Sequence, residues 1–150
     1  MILEFYMVRP GLAPHRANPS DAGLDVYFNP EESNSITLLP GENAVLPTGV
    51  KFGIPHGYML QVMNRSSVAA KKSLVVGAHC VDAGYEGEIF IDIHNIGTKP
   101  QTLRPFDKIA QLVLVPVVSF RAFEVGDDRV YDEKIAMTKR KRYGFGSTDK

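Results

Sequence analysis

Short apolar stretches separated by turn residues run along most of the chain. In 59–63 and 88–93, apolar side chains alternate with mixed ones, the period of two expected of a strand with one buried face. Many short strands divided by glycine and proline predict an all-β sandwich or barrel. The stretches rich in β-branched or aromatic residues are 24–28, 35–39, 49–54, 57–63, 89–94 and 109–118.

One segment instead has the character of a helix. Ser66 and Ser67 are residue types that cap helices, and good helix formers follow them in 68–72. Lys71 and Lys72 stand near the end of this segment, where the helix dipole favours cations. We therefore predict one short helix in a chain that otherwise consists of strands and turns.

Composition places the chain among ordinary globular domains. It has 150 residues and a mass of 16.6 kDa, with 44% apolar and 23% charged residues. A chain of this length buries roughly 70% of the surface that its unfolded form exposes. Thirteen glycines and ten prolines limit the length of any helix. A single globular domain is predicted.

Charge and cysteine content exclude several classes of protein. The 17 Lys and Arg residues balance the 17 Asp and Glu residues, so no overall field draws the chain to nucleic acid or to an anionic membrane. The lone Cys80 excludes an internal disulfide framework and a cysteine-built zinc site. No apolar run approaches the ~18 residues of a membrane-spanning helix, and residues 1–9 do not resemble a secretory leader. We expect a soluble cytoplasmic protein without membrane or nucleic-acid partners.

The C-terminal residues differ in character from the rest. Residues 139–142 are consecutive cations, and glycines around one aromatic residue follow them. Because such a stretch cannot form its own core, the sequence predicts a β domain over 1–138 and a mobile arm over 139–150. This composition suits an arm that closes over a flat anionic ligand such as a nucleotide. A plain basic end, a nuclear localisation signal or a nucleic-acid patch is the alternative.

Two clusters are suited to binding a metal ion and an anion. Asp25 begins a predicted strand just after a glycine turn, where a carboxylate either shapes the turn or holds the water shell of Mg²⁺. Residues 64–67 lie at the predicted strand-to-helix junction, where backbone N–H groups, hydroxyls and the Arg65 guanidinium converge on an anion or simply cap the helix. A further cluster, 107–111, opens the last long strand and is also compatible with strand structure alone.

Residues 77–88 contain a candidate general base. Glycines at 77, 84 and 87 mark tight turns, and Asp82 follows the apolar Val81. A carboxylate beside a buried strand is suited to general-base catalysis. Metal binding by His79, Cys80 and Asp82 is the alternative, which is disfavoured because successive side chains on an extended chain point to opposite faces.

Six motifs follow one another along the chain. They are Ala-Gly-Leu-Asp at 22–25, Leu-Pro-Thr-Gly at 46–49, Arg-Ser-Ser at 65–67, Val-Asp-Ala-Gly-Tyr-Glu-Gly-Glu at 81–88, Asp-Lys-Ile-Ala-Gln-Leu at 107–112 and Gly-Phe-Gly-Ser-Thr at 144–148. In this order they resemble the signature sequences of the homotrimeric dUTP diphosphatases (dUTPases), of the dUTPase/dCTP deaminase superfamily. The resemblance implies a distorted jelly-roll β-barrel with one short helix and a flexible C-terminal arm. It also implies a homotrimer whose active sites each draw on three subunits and hydrolyse dUTP to dUMP and pyrophosphate with Mg²⁺.

The same resemblance implies roles for residues of the β domain. Asp25 would hold a water of the Mg²⁺ bound to the triphosphate. Arg65 and Ser66 would contact the phosphates, and Gln111 would contact the α-phosphate side. Asp82 would position and deprotonate the water that attacks the α-phosphorus.

Base, sugar and γ-phosphate contacts are implied for two further segments. Tyr85 would pack under the deoxyribose and leave no room for a 2′-hydroxyl. The other residues implied around the base and sugar are Ala78, His79, Val81 and, in the arm, Phe145, which would stack on the base. The γ-phosphate would be met by Arg140, Ser147 and Thr148 of the arm.

The chain departs from the family pattern at several positions. Asn64 stands where Pro is common, and Lys108 stands where Arg is usual, which keeps the charge but loses the bidentate fork. Residues 141–143 fill a spacer that is normally rich in glycine. Val76 and His79 replace the Asn and Gly that commonly help the hairpin to read the uracil edge. Base selection is therefore the property that these departures affect most.

Two other functions are compatible with the sequence. Residues 78–85 are also similar to the dCTP deaminases, whose catalytic Glu would fall on Asp92 and whose Arg would fall on Ala70. A deaminase, or a bifunctional deaminase and dUTPase, is thus the first alternative. The second is a non-catalytic trimer that binds nucleotide as the regulatory partner of another protein.

Overall fold

A computed structural model of the chain describes residues 1–127. The chain divides into two compact units, Met1–Ser119 and Phe120–Lys150. The first unit is described in full, and the second only over 120–127, where the backbone forms no helix or strand. The predicted boundary between residues 138 and 139 lies outside the described residues and stays a prediction.

The first unit is built almost entirely from short strands. Its elements in chain order are β1 (Glu4–Met7), β2 (Leu24–Tyr27), β3 (Ile36–Leu38), β4 (Asn43–Pro47), β5 (Val50–Gly53), β6 (Tyr58–Met63), α1 (Ser66–Lys72), β7 (Leu74–Val76), β8 (Cys80–Asp82), β9 (Phe90–Asn95), β10 (Gln101–Leu103) and β11 (Lys108–Pro116). The prediction of an all-β, jelly-roll-like fold with one short helix is confirmed. Each of the six predicted stretches contains a strand, whereas β1, β4, β7, β8 and β10 were not predicted.

The strands pair in four antiparallel sheets within residues 1–127. The largest has the order β2-β11-β6-β8, and a three-stranded sheet has the order β4-β9-β7. The two remaining sheets are the pairs β1-β5 and β3-β10. These ladders stay separate over the described residues, so no continuous hydrogen-bonded barrel closes among them.

Alternation along the strands determines which side chains enter the core. In β6, Leu60 and Val62 are buried while Met63 is exposed. In β9, Ile91 and Ile93 are buried, and Asp92 between them lies on the opposite face. The largest sheet and the β4-β9-β7 sheet therefore each contribute one apolar face to a single core.

The helix begins one residue earlier than its serines led us to predict. Arg65 occupies the N-cap position with extended backbone angles and makes no side-chain capping bond, so Ser66 and Ser67 are the first two helical residues rather than caps. Only Val68 of this helix is buried. Ser73 ends it in the left-handed conformation, with φ 53°, and donates its N–H to the Ala69 carbonyl at 3.0 Å. The described helix lacks the length and apolarity needed to cross a membrane.

The Leu-Pro-Thr-Gly motif at 46–49 attaches the end of β4 to the segment before β9. Thr48 is 1% exposed, and its hydroxyl donates to the Ile89 carbonyl at 2.7 Å. Gly49 has a φ of +74°, a conformation that favours glycine. Its N–H donates to the Glu88 carboxylate at 2.7 Å. The motif thus holds the chain just beyond the turn at 82–87.

Replacement of Thr48 by Val tests this attachment. Thr48→Val keeps the shape of the side chain but removes the buried hydroxyl donor, and we expect a loss of about 1 kcal/mol in the free energy of unfolding. Thr37→Val is the matched control, because the Thr37 hydroxyl bonds to that of Thr102 on an exposed face. Urea denaturation of both variants measures the difference, and equal losses would contradict a special role for the Thr48 hydroxyl.

Candidate active site

A polar cleft of about 290 Å³ gathers residues from four segments of the sequence. We call it the first cleft. Its functional side chains come from the start of β2, the junction between β6 and α1, and the start of β11. The lining residues are Ala17, Asp21, Ala22, Gly23, Asp25, Arg65, Ser66, Ser67, Lys108 and Gln111. The structure thus brings together the predicted Asp25, Arg65, Ser66 and Gln111.

Asp25 lies between two cations in the first cleft. Its Oδ1 accepts a hydrogen bond from Arg65 Nε at 2.8 Å, and its Oδ2 is 3.0 Å from Lys108 Nζ. The Asp25 side chain is 15% exposed. Because Arg65 uses Nε for this bond, its two terminal nitrogens remain available to another partner, for which a phosphate is suitable.

A bulge in β11 allows Lys108 and Gln111 to line the same cleft. Residues three apart on a regular strand point to opposite faces. The pairing of β11 with β2 shifts between Lys108 and Ala110, and this irregularity restores both side chains to one side. Gln111 then donates its Nε2 to the Asn64 carbonyl at 2.9 Å, which joins β11 to the loop that carries Arg65.

Gly23 permits the close approach of β2 to β11. A Cβ at this position would lie 2.9 Å from the Leu112 carbonyl oxygen and 3.1 Å from Gln111 Oε1. A larger residue would therefore push β2 away from Gln111. The close packing of β2 and β11 therefore requires a glycine in the Ala-Gly-Leu-Asp motif, in addition to its place in a turn.

A second cleft of about 230 Å³ surrounds the turn at 82–87. Its lining residues are Cys80, Val81, Asp82, Tyr85, Glu88, Ile89 and Phe90. The predicted Val81, Asp82 and Tyr85 are therefore neighbours. Asp82 is exposed, and none of the hydrogen bonds or ion pairs within residues 1–127 involves its carboxylate.

The turn holds Tyr85 through both its backbone and its ring. Tyr85 donates its N–H to the Asp82 carbonyl at 3.2 Å, and its hydroxyl donates to the Glu88 carbonyl at 2.8 Å. A Cβ on Gly87 would collide with the Tyr85 ring and hydroxyl. The hydroxyl is thus already bonded to the protein, and Tyr85 presents its ring to the cleft.

The connection at 76–79, between β7 and β8, is held against β6. His79 accepts the Val62 N–H with its carbonyl at 2.8 Å, and its ring Nδ1 lies 3.2 Å from the Val62 carbonyl. A carbonyl only accepts, so a neutral His79 ring carries its proton on Nδ1. Val76 is buried in the core at 6% exposure, and its N–H donates to Asn64 Oδ1 at 2.9 Å. The predicted Ala78 is exposed on the same connection.

The two clefts occupy opposite corners of the largest sheet. Asp25 pairs with Gln111, and Gln111 pairs with Met63 at one end of β6, whereas Asp82 pairs with Met59 near the other end. Three strand spacings across the sheet and four residues along β6 separate Asp25 from Asp82 by roughly 20 Å. A single chain therefore does not bring Asp82 to the Asp25 cluster.

Comparison with known proteins identifies the family. The family model described as dUTPase matches residues 9–149. A deoxyuridine 5'-triphosphate nucleotidohydrolase of Chlamydia pneumoniae is 40% identical over 140 residues, 92% of this chain and 91% of that protein. The chain belongs to the dUTPase family. A second relative of the same name, from Chlamydia muridarum, is 37% identical over 137 residues, 90% of this chain and 89% of its own.

Solved dUTPase structures share the fold. A dUTPase of Staphylococcus bacteriophage 80alpha, solved with dUpNHpp, has a TM-score of 0.82 at 26% identity and covers 98% of each chain. A dUTPase from phage phi11 of S. aureus has a TM-score of 0.76 at 27% identity, covers 85% of this chain and 98% of that one, and coordinates a structural Mg(II) ion.

The predicted site also includes four residues near the C-terminus. Arg140, Phe145, Ser147 and Thr148 lie outside the described residues, so their roles stay predictions. Sequence reasoning gave no site role to Lys108 or Glu88, although both line a cleft. Both residues stand in quoted motifs, 107–112 and 81–88. No local pattern, however, marks Glu88 as the partner of Arg9, 79 residues away.

Asp92 takes part in a polar cluster outside both clefts. Its Oδ2 is 2.8 Å from His94 Nε2, and its Oδ1 accepts the Asn43 amide at 3.1 Å. The hydrogen bond from His94 lowers the pKa of Asp92 below its ordinary value of 3.8. A Cβ on Gly77 would collide with this pair, which explains the glycine there. Among residues 1–127, no three His, Cys, Asp or Glu side chains are grouped to hold a metal ion.

We expect the Asp92–His94 pair to make the free energy of unfolding depend on pH in the acid range. A lowered pKa means that the ionised carboxylate stabilises the fold, and that this contribution is present above the ordinary value and lost as pH falls through the lowered one. Asp92→Asn should therefore be less stable than wild type at pH 6, and the gap should shrink as pH falls below about 4. Urea denaturation across this range measures the gap, with the exposed Glu4→Gln as control. A gap that does not change with pH would contradict the assignment.

Proposed function

We propose that this chain is an Mg²⁺-dependent homotrimeric enzyme that hydrolyses dUTP to dUMP and pyrophosphate. Water attacks the α-phosphorus, and each active site is shared between subunits. Family membership supports the reaction. The shared site is supported by one observation above all: the phosphate-binding groups and the candidate base occupy opposite corners of one sheet.

The first cleft has the groups that a triphosphate needs. Phosphoryl transfer depends on positioning and on neutralising charge on the phosphate oxygens. Arg65 offers its terminal nitrogens, and Ser66 and Gln111 offer a hydroxyl and an amide in the same cleft. Lys108 adds a second cation beside them. We assign these side chains to the phosphates, with Ser66 near the α–β bridge, where charge develops on the leaving group.

The donor set of the first cleft is compatible with Mg²⁺. Asp25 uses one lone pair on each oxygen for Arg65 and Lys108, so further lone pairs remain for water molecules of an ion. Bound with the triphosphate, the ion would neutralise charge on the phosphate oxygens. Asp25 is its proposed holder, through water.

Asp82 is suited to activate the attacking water. A general base needs a carboxylate within hydrogen-bond reach of that water. Asp82 is exposed in the second cleft, and no described side chain occupies its oxygens. One oriented carboxylate suffices, since the reaction requires no covalent intermediate with the protein.

The remaining contacts concern the sugar, the base and the γ-phosphate. The Tyr85 hydroxyl is bonded to the protein, so its ring is the part that faces the sugar and excludes a 2′-hydroxyl. Ala78, His79 and Val81 are assigned to the base and sugar side. Phe145 of the arm would stack on the base, and the γ-phosphate would be met by Arg140, Ser147 and Thr148.

For a triphosphate bound in the first cleft, the carboxylate that acts as general base must come from another chain. Water-mediated catalysis requires the carboxylate within a few ångströms of the α-phosphorus, and the same chain holds Asp82 roughly 20 Å away from Asp25. Both residues lie on the outward face of the largest sheet, because Asp25, Gln111, Met63, Met59 and Asp82 share one side of the pleat. A second copy that places its turn against the first cleft would complete the site.

Asp82→Asn tests the assigned base. The amide keeps the shape of the side chain but does not take up a proton, so we expect nucleotide binding to persist while kcat falls by roughly 10²–10⁴-fold. Pyrophosphate release and equilibrium binding of dUTP measure the two effects. Glu86→Gln in the same turn is the matched control, and near-normal turnover by Asp82→Asn would place the base elsewhere.

Mixed trimers test the sharing directly. Asp82→Asn and Arg65→Ala should each be inactive as homotrimers, because each lacks one half of every site. Refolded together, they should regain activity in trimers where an intact turn meets an intact first cleft. If both halves of a site came from one chain, mixing would restore nothing.

Nucleotide selection separates the rival functions. Asp92, the position of the deaminase Glu, already has both oxygens hydrogen-bonded, and its lowered pKa disfavours proton transfer. We therefore expect pyrophosphate from dUTP and no ammonia from dCTP in a panel of dUTP, dCTP, dTTP and UTP. Ammonia release would revive deamination, and tight dUTP binding without turnover would favour the regulatory trimer.

A further inference from the structure

Arg9 forms a two-pronged ion pair with Glu88 across the fold. Its Nη1 is 2.5 Å from Glu88 Oε1, and its Nη2 is 2.7 Å from Glu88 Oε2. The side chains are only 17% and 12% exposed. A fork of this kind fixes orientation as well as distance. Because both side chains are largely shielded from solvent, loss of one partner leaves the other as a poorly solvated charge.

The pair is attached to rigid parts of the first unit. Glu88 Oε1 also accepts the Gly49 N–H at 2.7 Å, and Arg9 Nη1 donates to the carbonyl of the buried Asn29 at 3.1 Å. The next residue, Ile89, is 1% exposed and is held by Thr48. Glu88 is therefore held by its side chain and by the residue that follows it.

Glu88 is also the point at which the turn at 82–87 ends. Its carbonyl accepts the Tyr85 hydroxyl, and Tyr85 in turn donates its N–H to the Asp82 carbonyl. The Tyr85 ring lies so close to Gly87 that a Cβ at this position would collide with it. A continuous series of short contacts thus leads from Arg9 to Asp82.

We propose that Arg9 is a positioning residue, which holds the turn bearing Asp82 and Tyr85 in its working geometry through its fork to Glu88. It touches no reacting atom. The inference rests on the proposed function, because that function assigns the sugar contact to Tyr85 and the role of general base to Asp82. The consequence is that an N-terminal residue distant in sequence controls both the rate and the rejection of a 2′-hydroxyl.

Arg9→Lys tests the fork and keeps the charge. Lysine makes a single-point contact, so the turn should loosen. We expect faster hydrogen exchange in residues 82–88, and a fall of roughly tenfold in kcat and in the ratio of kcat/KM for dUTP to that for UTP. Glu88→Gln, which keeps an oxygen for the Gly49 N–H, should act in the same direction.

Glu31→Gln is the matched control. Glu31 also lies near Arg9, at 3.8 Å from Nη2, but its side chain is 86% exposed. Its replacement should leave exchange, kcat and selectivity unchanged. A merely structural role for Arg9 would lower the melting temperature and leave the dUTP to UTP ratio intact in molecules that remain folded.

The outcomes separate this inference from the proposed function. Wild-type protein that releases no pyrophosphate from dUTP overturns the proposed function, while hydrogen exchange still decides whether Arg9 orders the turn. Exchange in 82–88 that is the same in wild type, Arg9→Lys and Glu88→Gln overturns the positioning role. Should Arg9→Lys fail to fold, Glu88→Gln decides by the same two measurements.

Discussion

The register of β6 between β11 and β8 is the constraint on which the site depends. Gln111 opposite Met63 and Asp82 opposite Met59 determine where the two halves of the proposed site lie. The same register sends Leu60 and Val62 into the core. A slip of one residue would exchange the two faces of the strand, so burial of the core and placement of the chemistry are enforced together.

Polar side-chain contacts hold in place the loops that are not part of any sheet. Asn64 accepts the Gln111 amide with its carbonyl and the Val76 N–H with its side chain, so one residue joins the loop that carries Arg65 to β11 and to the end of β7. Arg9 and Glu88 do the same for the turn at 82–87. Loops so anchored lose less conformational freedom when a ligand binds, which favours a preorganised site.

The two clefts place their aspartates in different electrostatic surroundings. Asp25 beside Arg65 and Lys108 is neutralised by two cations, whereas Asp82 has no cation bonded to it within the described residues. In the proposed trimer, assembly of subunits would bring both carboxylates to the same substrate.

Much of the fold was predictable from local pattern. Stretches rich in β-branched and aromatic residues between turn residues indicated β2, β3, β5, β6, β9 and β11, and alternation supported β6 and β9. Strands such as β7 and β8 have three residues each, too few to establish a period, and they form because β9 and β6 provide partners. The ordered motifs also named Asp25, Arg65, Ser66, Asp82 and Gln111 as site residues through their resemblance to a known family, and the roles of these residues stay predictions.

Other features depend on contacts between distant segments and only the tertiary structure decided them. The bulge that turns Lys108 toward Asp25 depends on pairing with β2, and the fork of Arg9 joins residues 79 positions apart. Sequence determined which residues could do the chemistry, through residue type and period. The three-dimensional pairing of strands decided which of them meet, because hydrogen-bond register and burial act between segments that no local pattern connects.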